Sequence, residues 1–253
     1  MRIAFTIVYE GLHHLSHKDF AHKMLSMFDY WIVVEGHAKN GGSTSWCNNL
    51  NLPVNSTDGT CAFLESLMEE NPKLFYLSAK RYWQSKDEQV NMAMSVVRDI
   101  TAKCFLWQVD VDEHWELKDL KEAEHRLSLS GYSQAEFQFN HYVGMDRVAI
   151  GDWGSGFVTR LFKWHGEKFA SHEPSILEGH SKTYPIKGIK FDHYSYYFPK
   201  DVLFKSKYYK GYDIFDNWLK IQSNESDTIP INKLFPRSNW IGKSNTSLVK
   251  LRR

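Results

Sequence analysis

Short apolar runs alternate with stretches of helical period through the first hundred residues. Ile3–Val8 is β-branched and almost continuously apolar, which predicts a buried strand. Ser16 and Asp19 mark a helix start, and Ala21, Met24, Leu25 and Phe28 then recur at i, i+3, i+4 and i+7 on one face. Tyr30–Val34 predicts a second strand ending at Glu35-Gly36, and the polar, Gly/Ser-rich stretch His37–Ser45 predicts a loop. Asp58 opens a helix carrying Cys61, Leu64 and Met68 that stops near Asn71-Pro72, and Leu74–Leu77 is a third strand. Ser85-Lys86-Asp87-Glu88 has the S-x-x-E form in which Ser and Glu satisfy orphan amides reciprocally. Val90, Ala93, Met94 and Val97 follow on one helical face, and Phe105–Val109 predicts a fourth strand running into Asp110-Val111-Asp112-Glu113.

Strand–helix alternation of this kind predicts an α/β fold with a mostly parallel sheet and helices on both faces. Such sheets bind ligands beyond the carboxyl ends of their strands. After Trp115 the pattern changes. A charged helix over about Leu117–Ser128 leads to strand-like pieces at Ala135–Tyr142 and Thr159–Trp164, then to aromatic and His-rich loops, Lys205–Tyr212 and a polar tail. With no linker, repeat or low-complexity segment, one domain over residues 1–253 is expected.

Composition narrows the function. Across 253 residues, 31 basic side chains face 30 acidic ones, so the charge of +1 gives no electrostatic footprint for a nucleic acid. A hydrophobic content of 42% is too high for a disordered chain. No run reaches the roughly 18 apolar residues of a membrane span. The chain opens directly into the first strand, without the pattern of a signal peptide, and Cys47, Cys61 and Cys104 form neither a disulfide framework nor a CxxC site. A cytoplasmic protein with free thiols is the expectation.

Chemistry concentrates at the end of the fourth strand. In extended backbone, residues i and i+2 point the same way, so Asp110 and Asp112 present two carboxylates to one face. Hard oxygen donors there suit Mg²⁺ or Mn²⁺, which bridge diphosphate oxygens; a solvated acidic turn is the alternative. Other constellations fare worse. His13-His14 with His17 contains an i, i+4 pair, but a helix starting at Ser16 leaves His13 outside, which argues against a zinc site. Gly151–Gly156 lacks the G-x-G-x-x-G order, and the sequence has no G-x-x-x-x-G-K, H-E-x-x-H or G-x-S-x-G.

The D-x-D after the fourth unit of a parallel sheet resembles the GT-A-fold glycosyltransferases. More specifically, Phe28–Gly36, and Trp83 with Glu88–Asn91 ahead of Val109–Glu113, are similar to the β-1,4-mannosyl-glycoprotein N-acetylglucosaminyltransferase-like family. The stretch His193–Tyr196 with Lys205, Tyr208 and Tyr209 resembles the later segment of that family and of related bacterial family-2-like enzymes. The resemblance implies a Rossmann-type GT-A sheet, with residues 1–115 as the nucleotide-sugar and metal half and 116–253 as the acceptor half. It implies a metal-dependent transferase that moves a sugar from a nucleotide-diphosphate donor, a UDP-sugar, to a carbohydrate or glycoconjugate acceptor, with Mn²⁺ or Mg²⁺ held by Asp110, Asp112 and His193. At its donor-binding positions fall Tyr9, for stacking on the base, Glu35, for accepting from the base, Asn91, for ribose or uracil, Asp110, through the metal that bridges the diphosphate, and Lys205, for neutralising diphosphate charge. An inverting transfer also needs a general base, for which Glu173 in Phe169–Ser175 and Asp152 in the Gly151–Gly156 loop compete. A sugar nucleotidyltransferase and a non-catalytic carbohydrate-binding protein using the aromatic loops are the alternatives.

Overall fold

The computed structural model describes residues 1–39, 48, 50–172, 175–209, 213–235 and 245–251. Four parallel strands form one end of the sheet, with β3 at its edge: β1 (Arg2–Val8), β2 (Tyr30–Glu35), β3 (Leu74–Ser78) and β4 (Cys104–Gln108). Their order is β3-β2-β1-β4, so β1 is paired on both sides, as its uninterrupted apolar run requires. Side-chain alternation divides each strand between two cores. Ala4, Trp31, Val33 and Trp107 pack with helices α2 (Phe20–Met27), α3 (Thr60–Glu70) and α5 (Leu117–Leu129). Ile3, Phe5, Ile32 and Val34 pack on the opposite face with α4 (Lys86–Ile100).

Local chemistry explains where these helices begin. Between β1 and α2 the chain makes the single turn α1 (Leu12–Leu15) and a short 3₁₀ turn over His17–Asp19. Lys18 and Asp19 both take left-handed backbone angles, so the helix expected from Ser16 starts instead at Phe20. Ser85 caps α4 as expected, its hydroxyl accepting the Glu88 N–H at 3.1 Å. Glu88 returns its carboxylate to the N–H of Gln84 at 2.6 Å, one residue before the cap, and pairs with Arg81.

The second half extends the sheet. Its elements are β5 (Glu113–His114), β6 (Gln134–Val143), β7 (Arg147–Ile150), α6 (Asp152–Ser155), β8 (Val158–Trp164), β9 (Phe169–Ser171), β10 (Ile176–Leu177) and β11 (Tyr184–Tyr196). They are followed by α7 (Pro199–Tyr208), α8 (Ile214–Gln222), β12 (Thr228–Pro230) and β13 (Ser247–Lys250). Strand β8 pairs antiparallel with β4, and the sheet continues through β6, β7, β13 and β12. The thirteen-residue β11 pairs parallel with β6 and, near its end, antiparallel with β5. That last pairing brings residues from beyond 190 to the end of β4.

Candidate active site

The acidic motif sits where β4 ends, and the backbone fixes what faces it. In the β11–β5 register His193 lies opposite Glu113, and the Tyr194 N–H donates to the Asp112 carbonyl at 2.8 Å. The result places His193 Nε2 3.4 Å from Asp112 Oδ2. Burial pushes the Asp112 carboxyl up, but His193 outweighs it and holds it well below the usual carboxylate range. For His193 burial acts downward and Asp112 outweighs it, raising the imidazole above its ordinary value. Behind His193 lies a buried His141, its ring 4.6 Å from that of His193 and stacked at 3.9 Å on Trp153. Ser195 and His141 share a hydrogen bond of 3.2 Å, and burial lowers the His141 imidazole well below its ordinary value.

Asp110 is held differently. Its Oδ2 accepts from Arg160 at 3.0 Å, and the same guanidinium donates to the fully buried Glu113 at 2.7 Å. Burial pushes the Glu113 carboxyl up to about 7, with Arg160 acting against it. Asp110 is therefore tied to β8, while Asp112 is left to His193. The extended backbone expected through Asp110–Asp112 is a turn instead: β4 ends at Gln108 and the Glu113 N–H donates to the Asp110 carbonyl at 2.9 Å, so strand alternation does not set the two carboxylates side by side, nor did it anticipate Arg160. A signal existed: Arg160 shares the period-two face of β8 with Val158, Phe162 and Trp164, and a cation on an apolar face needs a buried anion.

Two of the residues expected at the donor, Tyr9 and Glu35, lie at the ends of β1 and β2. Tyr9 donates to the Pro53 carbonyl at 3.1 Å and meets His37 edge-on at 5.2 Å. His37, Lys39, Leu50, Asn51 and Tyr82 line a cavity of about 400 Å³ beside it. Glu35 is fully buried, its carboxylate accepting from the Ser56 N–H at 2.6 Å and from Asn55 Nδ2 at 2.8 Å. Gly36 follows at φ +121°, where a Cβ would meet the Trp83 indole nitrogen at 3.0 Å and the Val54 carbonyl at 3.2 Å. Only glycine allows the chain to turn that tightly under Trp83. Glu35 thus pins the loop that forms the cavity's neighbourhood.

The remaining expected positions disperse. Asn91 accepts the Phe169 N–H at 3.0 Å and donates to the Phe169 and Asp87 carbonyls, so its amide joins α4 to β9. Asp152 is exposed and accepts the Asn245 N–H at 3.1 Å. Lys205, on α7, places its ammonium 5.4 Å from the centre of the Tyr196 ring and acts electrostatically on Asp112. Glu173 lies outside the described residues, as does Cys47.

One cluster was not expected. Among the described residues, the group of His, Cys, Asp or Glu side chains whose donor atoms fall within 4.8 Å of one another is His13, His14 and Asp201. Asp110, Asp112 and His193 do not gather within that spacing.

Parallel strands in the order 3-2-1-4, helices on both faces and antiparallel strands beyond β4 form a mixed α/β fold of the doubly wound kind, with an acidic turn at the end of β4. No family model and no curated protein matches the chain. Among solved structures it is similar to S. aureus TarS 1-349, with a TM-score of 0.43, 14% identity, and 79% of this chain and 61% of that one covered. The complex of TarS 1-349 with UDP-GlcNAc aligns with a TM-score of 0.36 and 16% identity, covering 56% and 35%. A 4-diphosphocytidyl-2C-methyl-D-erythritol synthase aligns with a TM-score of 0.34 and 12% identity, covering 64% and 74%. The chain spans between 22% and 61% of the length of the TarS chains.

Proposed function

We propose that the protein is a glycosyltransferase that takes a sugar from a nucleotide-diphosphate donor, a UDP-sugar, and transfers it to an acceptor hydroxyl. The observation that carries this reading is the Asp112–His193 pair at the carboxyl end of the parallel sheet, with Lys205 acting on the same carboxylate. A carboxylate and an imidazole 3.4 Å apart, with His193 Nδ1 buried and unpartnered, are a mixed O/N donor set that fits Mn²⁺ better than Mg²⁺. Asp112 and His193 would hold the cation, with Asp110 beside them on its Arg160 tether. When bound, the cation supplies Lewis-acid stabilisation of the leaving diphosphate.

The chain's own residues do the rest. Lys205 adds a positive charge on the leaving-group side. Arg160 fixes the acidic turn through Glu113 and Asp110, so Asp112 keeps its orientation when donor arrives. Tyr9, His37 and Tyr82 present aromatic surface to the base at the mouth of the cavity, and Glu35 orders the 55–56 loop behind it. Asp152 and Glu173 stand as the candidates for the acceptor's general base.

A thermal-shift series with UDP, GDP and UDP-sugars, each with and without Mn²⁺, tests the reading. Stabilisation by UDP that grows with Mn²⁺ supports it; indifference to every nucleotide contradicts it.

A further inference from the structure

Adjacent residues of a regular helix point about 100° apart, so His13 and His14 would normally diverge. They do not. The one-turn α1 begins at Gly11 and gives way to the left-handed turn at Lys18, and its two imidazoles lie 4.4 Å apart, tilted by 40°. Both aim Nε2 at a single carboxylate on the first turn of α7. His13 Nε2 is 2.9 Å from one oxygen of Asp201, and His14 Nε2 is 2.7 Å from the other. Both Nδ1 atoms are buried without a partner, so Nε2 is the ring nitrogen each residue offers.

We propose that His13, His14 and Asp201 form a second cation site, for a borderline divalent transition ion of the Zn²⁺ type, separate from the Asp112–His193 pair. Two imidazoles and one carboxylate are a His₂-carboxylate set with an open fourth position. Zinc–donor distances of about 2.0–2.2 Å place tetrahedral donors roughly 3.3–3.5 Å apart. Opening the present 2.7 and 2.9 Å contacts by about half an ångström makes that room. The ion replaces the two N–H···O bonds. In neutral rings the proton moves from Nε2 to Nδ1, so loading exchanges one unpaired ring atom for another and releases no proton. His13 and Asp201 keep about a fifth of their side-chain surface exposed, which leaves an entry path. The chemistry disfavours Mg²⁺, which prefers an all-oxygen octahedron.

Loading would clip α7 to the turn after β1. The adjacent Lys200 already joins α7 to that turn through Glu10 at 3.2 Å, and reaches Asp58, just before α3, at 2.7 Å. Because α7 also carries Lys205, the clip sets one wall of the site described above.

The proposal does not depend on the transferase reading, and the test keeps them apart. The wild-type chain and the His13→Gln, Asp201→Asn and Asp112→Asn variants, each checked for fold by circular dichroism, are dialysed against micromolar Zn²⁺ with millimolar Mg²⁺ and assayed for bound metal. The expected result is one equivalent of zinc in wild type and in Asp112→Asn. His13→Gln, folded as wild type, should lose at least tenfold in zinc affinity, and Asp201→Asn likewise. Equal zinc in wild type and His13→Gln overturns the proposal, showing the cluster to be a hydrogen-bonded triad. Zinc lost only in Asp112→Asn overturns it too, by assigning the ion to the other pair.

Discussion

The His193 imidazole lies 3.4 Å from the Asp112 carboxylate because β11 pairs with β5, and not because any local sequence brings them together. The flanking Tyr194 N–H to Asp112 carbonyl bond holds the register on one side. Backbone pairing of this sort survives loss of a side chain. His193→Ala should therefore fold while raising the Mn²⁺ concentration for half-maximal activity by about tenfold or more, since a lost ligand costs several kcal/mol. A metal titration of nucleotide release measures it, and an unchanged midpoint would make His193 a packing residue.

Arg160 is the element on which the acidic turn hangs. It is the partly exposed partner of the fully buried Glu113 and holds Asp110 as well. Removing one member of a buried ion pair strands the other, at about 3–5 kcal/mol. Arg160→Ala should lower stability by that amount in urea unfolding, and Arg160→Ala with Glu113→Gln should recover part of it. Additive losses in the double variant would show that the two groups do not interact.

Acid sensitivity should arise at His17. Burial, with Lys18 next in weight, lowers its imidazole from 6.5 to about 4. A folded-state value below the unfolded one means that the unfolded chain takes up the proton first. The contribution is complete above about pH 6.5 and is lost as pH falls toward 4. His17→Gln should flatten the fall in melting temperature across that window, together with whatever His114 leaves, its imidazole being lowered to about 3 by burial and by His17. Parallel wild-type and His17→Gln curves from pH 7 to 4 would contradict this.

The parallel core was legible because strand and helix periods are local properties. The runs at 3–8, 30–34, 74–77 and 105–109 became β1 to β4 with shifts of a residue at their ends. The thirteen-residue β11 falls where the pattern predicts aromatic and His-rich loops, because Lys187 and Gly188 interrupt its alternation and its pairing shifts register there. Site residues followed the same rule. Asp110 and Asp112 are separated by two positions and visible as a motif, whereas Arg160, His141 and Asp201 join their clusters through pairings that only the fold creates. Asp201 lies on α7, whose role the charged pattern of that segment does not disclose. Asn91 and Glu35 show the opposite case: polar residues at the expected places whose side chains are committed to holding backbone.

The central claim is that Asp112 carries the negative charge on which donor turnover depends. Asp112→Asn keeps the shape of the side chain and its backbone pairing while removing that charge. With UDP-sugar and Mn²⁺, UDP release by the wild type should be Mn²⁺-dependent, and the variant, folded by circular dichroism, should retain less than about a tenth of it. A folded Asp112→Asn chain that releases UDP at the wild-type rate would contradict the account.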